Sequence, residues 1–260
     1  MNQVSSDEVN VQFFIPLPKI PHHKPQLASD TLKVECLNPG GGLSRKLSDP
    51  SDPLYRHIRS SQPDILGLVE HKSLRVSSIP NISGYSRFFK AASRTGRSPS
   101  GGVVVFVKES IRHCVSFVKP LSKNTIWILY RSPQSSVSWH LGFVYCRNAS
   151  NRLALENSCF YQRLSQQVQA FRARGDSHVA LFGDFNSRLG SFVGDHATNS
   201  GSGSFLSLLE FHGLSLLNKK FQFGIPTYVK PEAAATRPAS STFESSPKSW
   251  VPQRTRRTVF

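Results

Sequence analysis

The 260-residue sequence predicts an α/β fold, and three features carry that prediction. Short, almost continuously apolar runs such as "GGVVVFVK", "TIWILY" and "HVALFGD" recur along the chain, each bounded by Gly, Pro, Ser or Asn, as strands covered on both faces are. Ahead of the last of these lies a stretch, about 153–174, in which Phe160, Leu164, Val168 and Phe171 recur at spacings of three and four, the period of an amphipathic helix. The apolar runs also end repeatedly in a polar residue, and the carboxyl ends of strands are where α/β sheets carry their chemistry.

Residues 1–30 are rich in Pro and polar side chains around one apolar knot, "VQFFIPL", and read as a poorly ordered lead-in. "TLKVECLN" follows as a strand and the Gly-rich "PGGGLSRKLSDPSD" as a loop. "PLYRHIRSSQ" is a short helix started by Asp52 as N-cap and Pro53 in its first turn. "PDILGLVE" is the second strand. A series of β-like pieces comes next: "YSRFFK", "GGVVVFVK", "CVSFVK", "TIWILY" and "VSWHLGFVY". After the helix at 153–174 and the strand "HVALFGD", "SFLSLLEFHG" forms another helix, with Phe205, Leu208 and Leu209 on one side and Gly213 as its stop. "LSLLN" reads as a further short strand. The expected organisation is a lead-in over 1–30, one folded domain over 31–230 and a disordered or aberrant tail over 231–260, where no period of 2 or 3.6 is sustained.

Lys and Arg number 32 against 16 Asp and Glu, a formal charge of +16 that suits a polyanionic partner such as nucleic acid or an acidic membrane face. The basic residues are spread along the chain, so charge indicates a class of partner and no particular site. A merely soluble basic protein has the same balance. Cys36, Cys114, Cys146 and Cys159 show neither C-x-x-C spacing nor a zinc pattern and read as buried reduced thiols. No run approaches the roughly 18 consecutive apolar residues of a spanning helix, and no secretory leader opens the chain, so an intracellular protein that does not cross a membrane is expected.

Four apolar runs end in polar groups: "LKVECLN" in Asn38, "DILGLVE" in Glu70, "LGFVY" in Tyr145, and "VALFGDFN" in Asp184 and Asn186. Oxygen donors without accompanying His or Cys suit a hard divalent cation, above all Mg2+, which uses one or two protein carboxylates and fills its shell with water and phosphate. Glu70 and Asp184 are the charged candidates, while Asn38 and Asn186 offer amide N–H groups to phosphate oxygens. Singly, each has a plainer explanation: Glu70 a solvated rim residue, Asn38 and the Asp184–Asn186 step ordinary turn formers, Tyr145 a half-buried aromatic with a wet tip. Their joint order and placement favour a site.

The ordered set "LKVECLN", "PDILGLVEHK", "GGVVVFVK", "LGFVYCRNAS" and "HVALFGDFNSRLG", followed by "FLSLLEFHGLSLLN" and "GIPTYV", resembles the endonuclease/exonuclease/phosphatase superfamily, with the apurinic-like endonuclease of non-LTR retrotransposons as its nearest flavour. The likeness runs from about Leu32 to Val229. It implies a two-sheet α/β sandwich flanked by helices, with a metal-dependent phosphodiesterase site at the strand ends. It also implies Mg2+ (or Mn2+) as cofactor, DNA as substrate, and a nuclear location if the protein acts as a retroelement endonuclease. Residue by residue, Asn38 takes the place of the early amide ligand and Glu70 that of the metal-binding glutamate. Tyr145 matches the phosphate-contacting tyrosine, Asp184 the aspartate that positions the nucleophile, and Asn186 the transition-state amide.

Three departures from the family pattern stand out. Asn38 is followed by Pro39 and a Gly-rich loop, and Arg147 stands two places after Tyr145 where a proline is usual nearby. The family closes with an Asp-bearing strand and a Ser-Asp-His triplet, yet residues 231–260 contain neither Asp nor His. The domain is therefore expected to lack its last strands, leaving both sheet edges bare. "GDH" at 194–196 and His71 read as rim-loop features and not as replacements. Two functions stay open on sequence alone: a DNA-nicking phosphodiesterase impaired by that loss, and an inactive remnant that binds nucleic acid only through its charge. An aberrant reading frame beyond about Pro231 accounts equally for the change in composition. No protein partner is inferable.

Overall fold

The computed structural model describes residues 13–16, 31–95, 98–118, 124–133, 136–147, 154–175, 177–221, 223 and 258–259. Among them, two five-stranded sheets face each other. In spatial order the first contains β1 (Phe13–Pro16), β2 (Thr31–Leu37), β3 (Ile65–Val69), β7 (Val103–Lys108) and β4 (Tyr85–Lys90). The second contains β12 (Thr258–Val259), β11 (Ser177–Asp184), β10 (Ser138–Tyr145), β9 (Thr125–Arg131) and β8 (Val115–Val118). A separate hairpin pairs β5 (Ser93–Thr95) with β6 (Ser98–Ser100). Each sheet has one parallel pair, whose crossover is helical. β2 and β3 are joined through α1 (Leu43–Ser48) and α2 (Pro53–Ser61), and β10 and β11 through α3 (Ala154–Arg172).

Alternation along the strands sorts their side chains into layers. Val103, Val105 and Val107 of β7 point between the sheets with Val34, Ile65 and Val69, and meet Ile126, Ile128, Leu141, Phe143 and Phe182 of the second sheet. Their neighbours Val104 and Phe106 point outward with Leu66 and Leu68 to pack under α1 and α2 through Leu43, Leu47 and Ile58. On the other side, Trp127, Val144 and Leu181 pack under α3 and α4 (Ser202–Phe211) through Leu164, Val168, Phe171, Phe205 and Leu208. The result is helix, sheet, sheet, helix, as the continuously apolar runs require. Gly67 permits the close approach of the sheets: a Cβ there would lie 2.1 Å from Cδ1 of Phe143, so the ring occupies the space a side chain would need.

The helix start at Asp52 is as the sequence indicates, with its carboxylate accepting from the backbone N–H of Leu54 at 2.9 Å. All four cysteines are free thiols, Cys36 and Cys146 buried and Cys114 and Cys159 half-buried. Several expectations are corrected. Leu43–Ser48, read as loop, is α1, because Leu43 and Leu47 stand four apart and bury together against the first sheet. "LSLLN" is not a strand. Gly213, at φ 55, ends α4, the N–H of Leu214 bonds back to the carbonyl of Leu209 at 2.8 Å, and the chain enters α5 (Leu217–Phe221) with Leu216 buried against the helical layer. The β5–β6 hairpin carries no apolar alternation and gave no sequence signal.

Both sheet edges expected to be bare carry a short strand, β1 along β2 and β12 along β11. The rest of 1–30 and of 231–260, like "GIPTYV", lies outside the described residues. No helix among the described residues is long and apolar enough to cross a membrane.

Candidate active site

Parallel pairing places the sequence-predicted residues at one end of the molecule. Leu37 of β2 registers with Leu68 of β3, so Asn38 and Glu70 leave the first sheet side by side, and Tyr145 registers with Asp184 across β10 and β11. Face-to-face packing of the sheets then brings these ends together. Asn38 is the junction: its Nδ2 donates to Oε2 of Glu70 at 2.8 Å and to Oδ2 of Asp184 at 2.9 Å, while its Oδ1 accepts from the N–H of Gly40 at 2.8 Å. Two carboxylates on different sheets therefore share one amide nitrogen.

Backbone geometry fixes each of them. Gly183, at φ 145, has no room for a Cβ, which would strike the carbonyl oxygen of Val144 at 1.9 Å, so the strand turns there and presents Asp184. Asp184, 2% exposed, accepts from the N–H of Asn186 at 2.9 Å through Oδ1, closing an Asx turn. Asn186 adopts φ 47, its Nδ2 donates to the carbonyl of Cys146 at 2.6 Å, and its own carbonyl accepts from Nδ2 of Asn199 at 2.7 Å. Tyr161 of α3 secures the same turn from behind: its hydroxyl donates to the carbonyl of Phe185 at 2.9 Å and lies 2.8 Å from Oγ of Ser187. Glu70 also stands in the left-handed region, at φ 58, and its Oε1 is 3.3 Å from Nζ of Lys72.

Burial, then the negative charge of Glu70 and Asp184 and a hydrogen bond to Glu70, push the Tyr145 phenol well above its ordinary pKa, while a bond to Ser100 opposes the shift. Tyr145 thus remains a proton donor beside the two carboxylates.

The donor set fits a hard divalent cation. Glu70 and Asp184 supply anionic oxygens of the kind such an ion takes; one oxygen of each accepts from Nδ2 of Asn38, whose Oδ1 accepts from the N–H of Gly40. Among the described residues no group of three or more His, Cys, Asp and Glu assembles, which leaves the remaining positions of such an ion to amide oxygen, water or phosphate.

The structure thus brings together Asn38, Glu70, Tyr145 and Asp184, with Asn186 on the adjoining turn. The expectation for His71 is corrected. It is no rim residue but 1% exposed, stacked on Phe89 at 5.2 Å, with its Nδ1 accepting from Ser73 and its Nε2 at the carbonyl of Lys90, and burial lowers its pKa. Gly102 faces that ring, where a Cβ would lie 2.4 Å from Cε1. Asp195 of "GDH" does sit in the loop, paired with Arg188 at 2.7 and 3.0 Å. Sequence reasoning missed Lys72, Ser100 and Tyr161. The Gly101-Gly102 pair marks the turn that follows Ser100, and nothing local marks Tyr161.

The description of the Endonuclease/Exonuclease/phosphatase family matches residues 10–257, extending past Val229 into the tail. Solved structures share the fold at low identity. The AP endonuclease LMAP from Leishmania major is 15% identical with a TM-score of 0.58, over 70% of this chain and 66% of that one. An AP endonuclease from Archaeoglobus fulgidus is 18% identical with a TM-score of 0.54, over 78% of this chain and 80% of that one. The endonuclease domain of TRAS1, a telomere-specific non-LTR retrotransposon, is 13% identical with a TM-score of 0.52, over 88% and 83%. The chain thus spans just under two thirds of the Leishmania protein. No curated protein matches the sequence. A two-sheet sandwich with oxygen donors gathered at its strand ends, together with a family description that fits nearly the whole sequence, places this chain in the endonuclease/exonuclease/phosphatase family.

Proposed function

We propose that the protein is a metal-dependent phosphodiesterase that nicks DNA, with Mg2+ as the working ion and Mn2+ as a substitute, at a rate reduced by the lack of Asp and His in its tail. One observation supports this most: Asn38 and Asp184, 146 positions apart, are in contact, and Glu70 meets the same amide.

In this reading Glu70 and Asn38 hold the cation. When bound, the ion supplies positive charge to the scissile phosphoryl group and to the oxygen that leaves. Asp184, its carboxylate oriented by Asn38 and by the N–H of Asn186, positions the attacking water and accepts its proton. Tyr145, kept protonated by its surroundings, donates to a non-bridging phosphate oxygen. Asn186 provides amide N–H to the charge that develops there.

DNA as substrate is supported by the +16 charge and by the named activities of the AP endonucleases and the TRAS1 endonuclease domain. An intracellular, nuclear place of action goes with that substrate. Loss of a catalytic acid or base costs about a hundred- to ten-thousand-fold in rate. Segment 231–260 offers no Asp or His for the closing elements that the family resemblance calls for.

The test is conversion of supercoiled plasmid to the nicked form with and without Mg2+. Weak, Mg2+-dependent nicking that Asp184→Ala abolishes is expected. A rate no higher than that of Asp184→Ala overturns the proposal and leaves the inactive remnant, which binds nucleic acid through charge alone.

A further inference from the structure

We infer that Asn199, in the loop that precedes α4, is a positioning residue for the reaction: its side-chain amide holds Asn186, and with it the Asp184–Asn186 turn, in the working orientation. This rests on the phosphodiesterase reading and adds to it a residue that sets the rate from outside the reacting groups.

The turn presents two successive carbonyls, and a different element holds each. The carbonyl of Phe185 accepts from the hydroxyl of Tyr161 at 2.9 Å, and that of Asn186 from Nδ2 of Asn199 at 2.7 Å. With both peptide groups fixed, Asn186 is kept at φ 47, where its N–H meets Oδ1 of Asp184 and its own Nδ2 meets the carbonyl of Cys146. Asn is among the residues that reach this left-handed region most readily, yet the conformation persists only where its neighbours enforce it.

The orientation of the Asn199 amide follows from its other end. Oδ1 accepts from the N–H of Arg188 at 3.3 Å and from that of Gly201 at 3.2 Å, so a rotated amide would set its NH2 against two donors and its oxygen against the carbonyl of Asn186. The backbone of Asn199 is pinned as well. Its N–H donates to Oγ of Ser202 at 2.9 Å, its carbonyl accepts from the N–H of Ser202 at 3.0 Å, and the Ser202 hydroxyl donates to the carbonyl of Arg188. Gly201 lets the loop close this tightly, since a Cβ there would stand 2.9 Å from Oγ of Ser187, the hydroxyl that Tyr161 meets. Farther out, the Arg188–Asp195 pair and the N–H of Gly190 on the carbonyl of Ala197, at 3.1 Å, tie the two limbs of the loop together. The loop is thus closed on itself, and through Asn199 it bears on the turn. Without that donor Asn186 is free to relax from φ 47, which carries its side-chain amide and the N–H that orients Asp184 out of place.

The experiment compares Asn199→Asp and Asn199→Ala with wild type and with Asp195→Asn, which opens the ion pair of the same loop and leaves the bond to Asn186 in place. Asn199→Asp keeps an oxygen for Arg188 and Gly201 and loses only the donor, whereas Asn199→Ala loses both without adding charge. In steady-state nicking of supercoiled plasmid with Mg2+, both Asn199 variants are expected to lose about a hundredfold in kcat, the cost of displacing a reacting group by about 1 Å, with KM nearly unchanged. Asp195→Asn is expected to keep the wild-type kcat. Hydrogen exchange without Mg2+, followed by mass spectrometry, is expected to quicken at 182–188 in both Asn199 variants while β7 and β9 keep their wild-type rates. A wild-type kcat in either Asn199 variant, a loss confined to Asn199→Asp, a loss that lies in KM, or exchange that is unchanged at 182–188 or equally quickened in β7 overturns the inference. Failure of the phosphodiesterase reading shows differently: the wild-type protein does not nick, and exchange at 182–188 still decides whether Asn199 holds the turn.

Discussion

Four non-glycine residues among those described hold a positive φ, and three of them are at the candidate site, Glu70 and Asn186 in it and Lys72 paired with Glu70; the fourth, Gln62, caps α2. For Glu and Lys this conformation costs roughly 1–2 kcal/mol each, and such strain persists where surrounding contacts fix it, typically at functional sites. His140 of β10 is a different kind of stress. It is 1% exposed, stacked on Phe171 at 4.1 Å, and neither ring nitrogen has a hydrogen-bond partner among the described residues. Burial, aided by Arg174 and Arg131, lowers its pKa to about 4. The sign follows from where the proton goes: the unfolded chain takes it up near the ordinary value of 6.5 while the folded chain stays neutral. Stability therefore falls as pH drops from that value towards 4, by about 2 kcal/mol at pH 5 for a one-proton difference. Urea midpoints measured at pH 7.5 and pH 5 should separate in the wild type and separate less in His140→Phe. An equal separation in both removes His140 as the cause.

The elements legible in the sequence are those whose period is enforced by burial on both sides. β7 alternates between two cores, and α3 places Leu164, Val168 and Phe171 under one face. Elements set by local contact or by the backbone were not legible: α1 has only Leu43 and Leu47 as its signal, the β5–β6 hairpin has none, and the apolar run at Leu214–Asn218 has the composition of a strand but packs on helices. Gly67 shows how an element can carry a constraint of the whole sandwich. With Phe143 2.1 Å from the position of its absent Cβ, Gly67→Ala must displace the ring or part the sheets, an overpacking cost of about 1–3 kcal/mol. Chemical denaturation should register that loss. Gly67→Ala combined with Phe143→Leu should lose less than the two single changes added together, since the smaller side chain vacates the space. Strict additivity refutes the clash as the source of the cost.

At the scale of the whole molecule, the site exists only because two sheets close on each other. Glu70 belongs to the first and Asp184 to the second, and no local pattern relates them. What was legible was the repeated polar residue at a strand end. What was not legible was the supporting shell, since Tyr161, Ser100 and Lys72 reach the site only through the folded arrangement. Closing the sandwich also holds two carboxylates at one amide nitrogen, Asp184 being 2% exposed, so folding brings like charges together where an apolar contact would be more stable. A cation that binds only the folded state relieves this, adding about 1.4 kcal/mol at ten times its dissociation constant. Mg2+ should accordingly raise the melting temperature of the wild-type protein, and EDTA should reverse the shift. Asp184→Asn removes one of the two charges while keeping a similar shape, so it should melt at or above the metal-free wild type and respond little to Mg2+. A wild-type protein indifferent to Mg2+, or an Asp184→Asn variant that gains as much from it, means that no bound ion relieves the paired carboxylates.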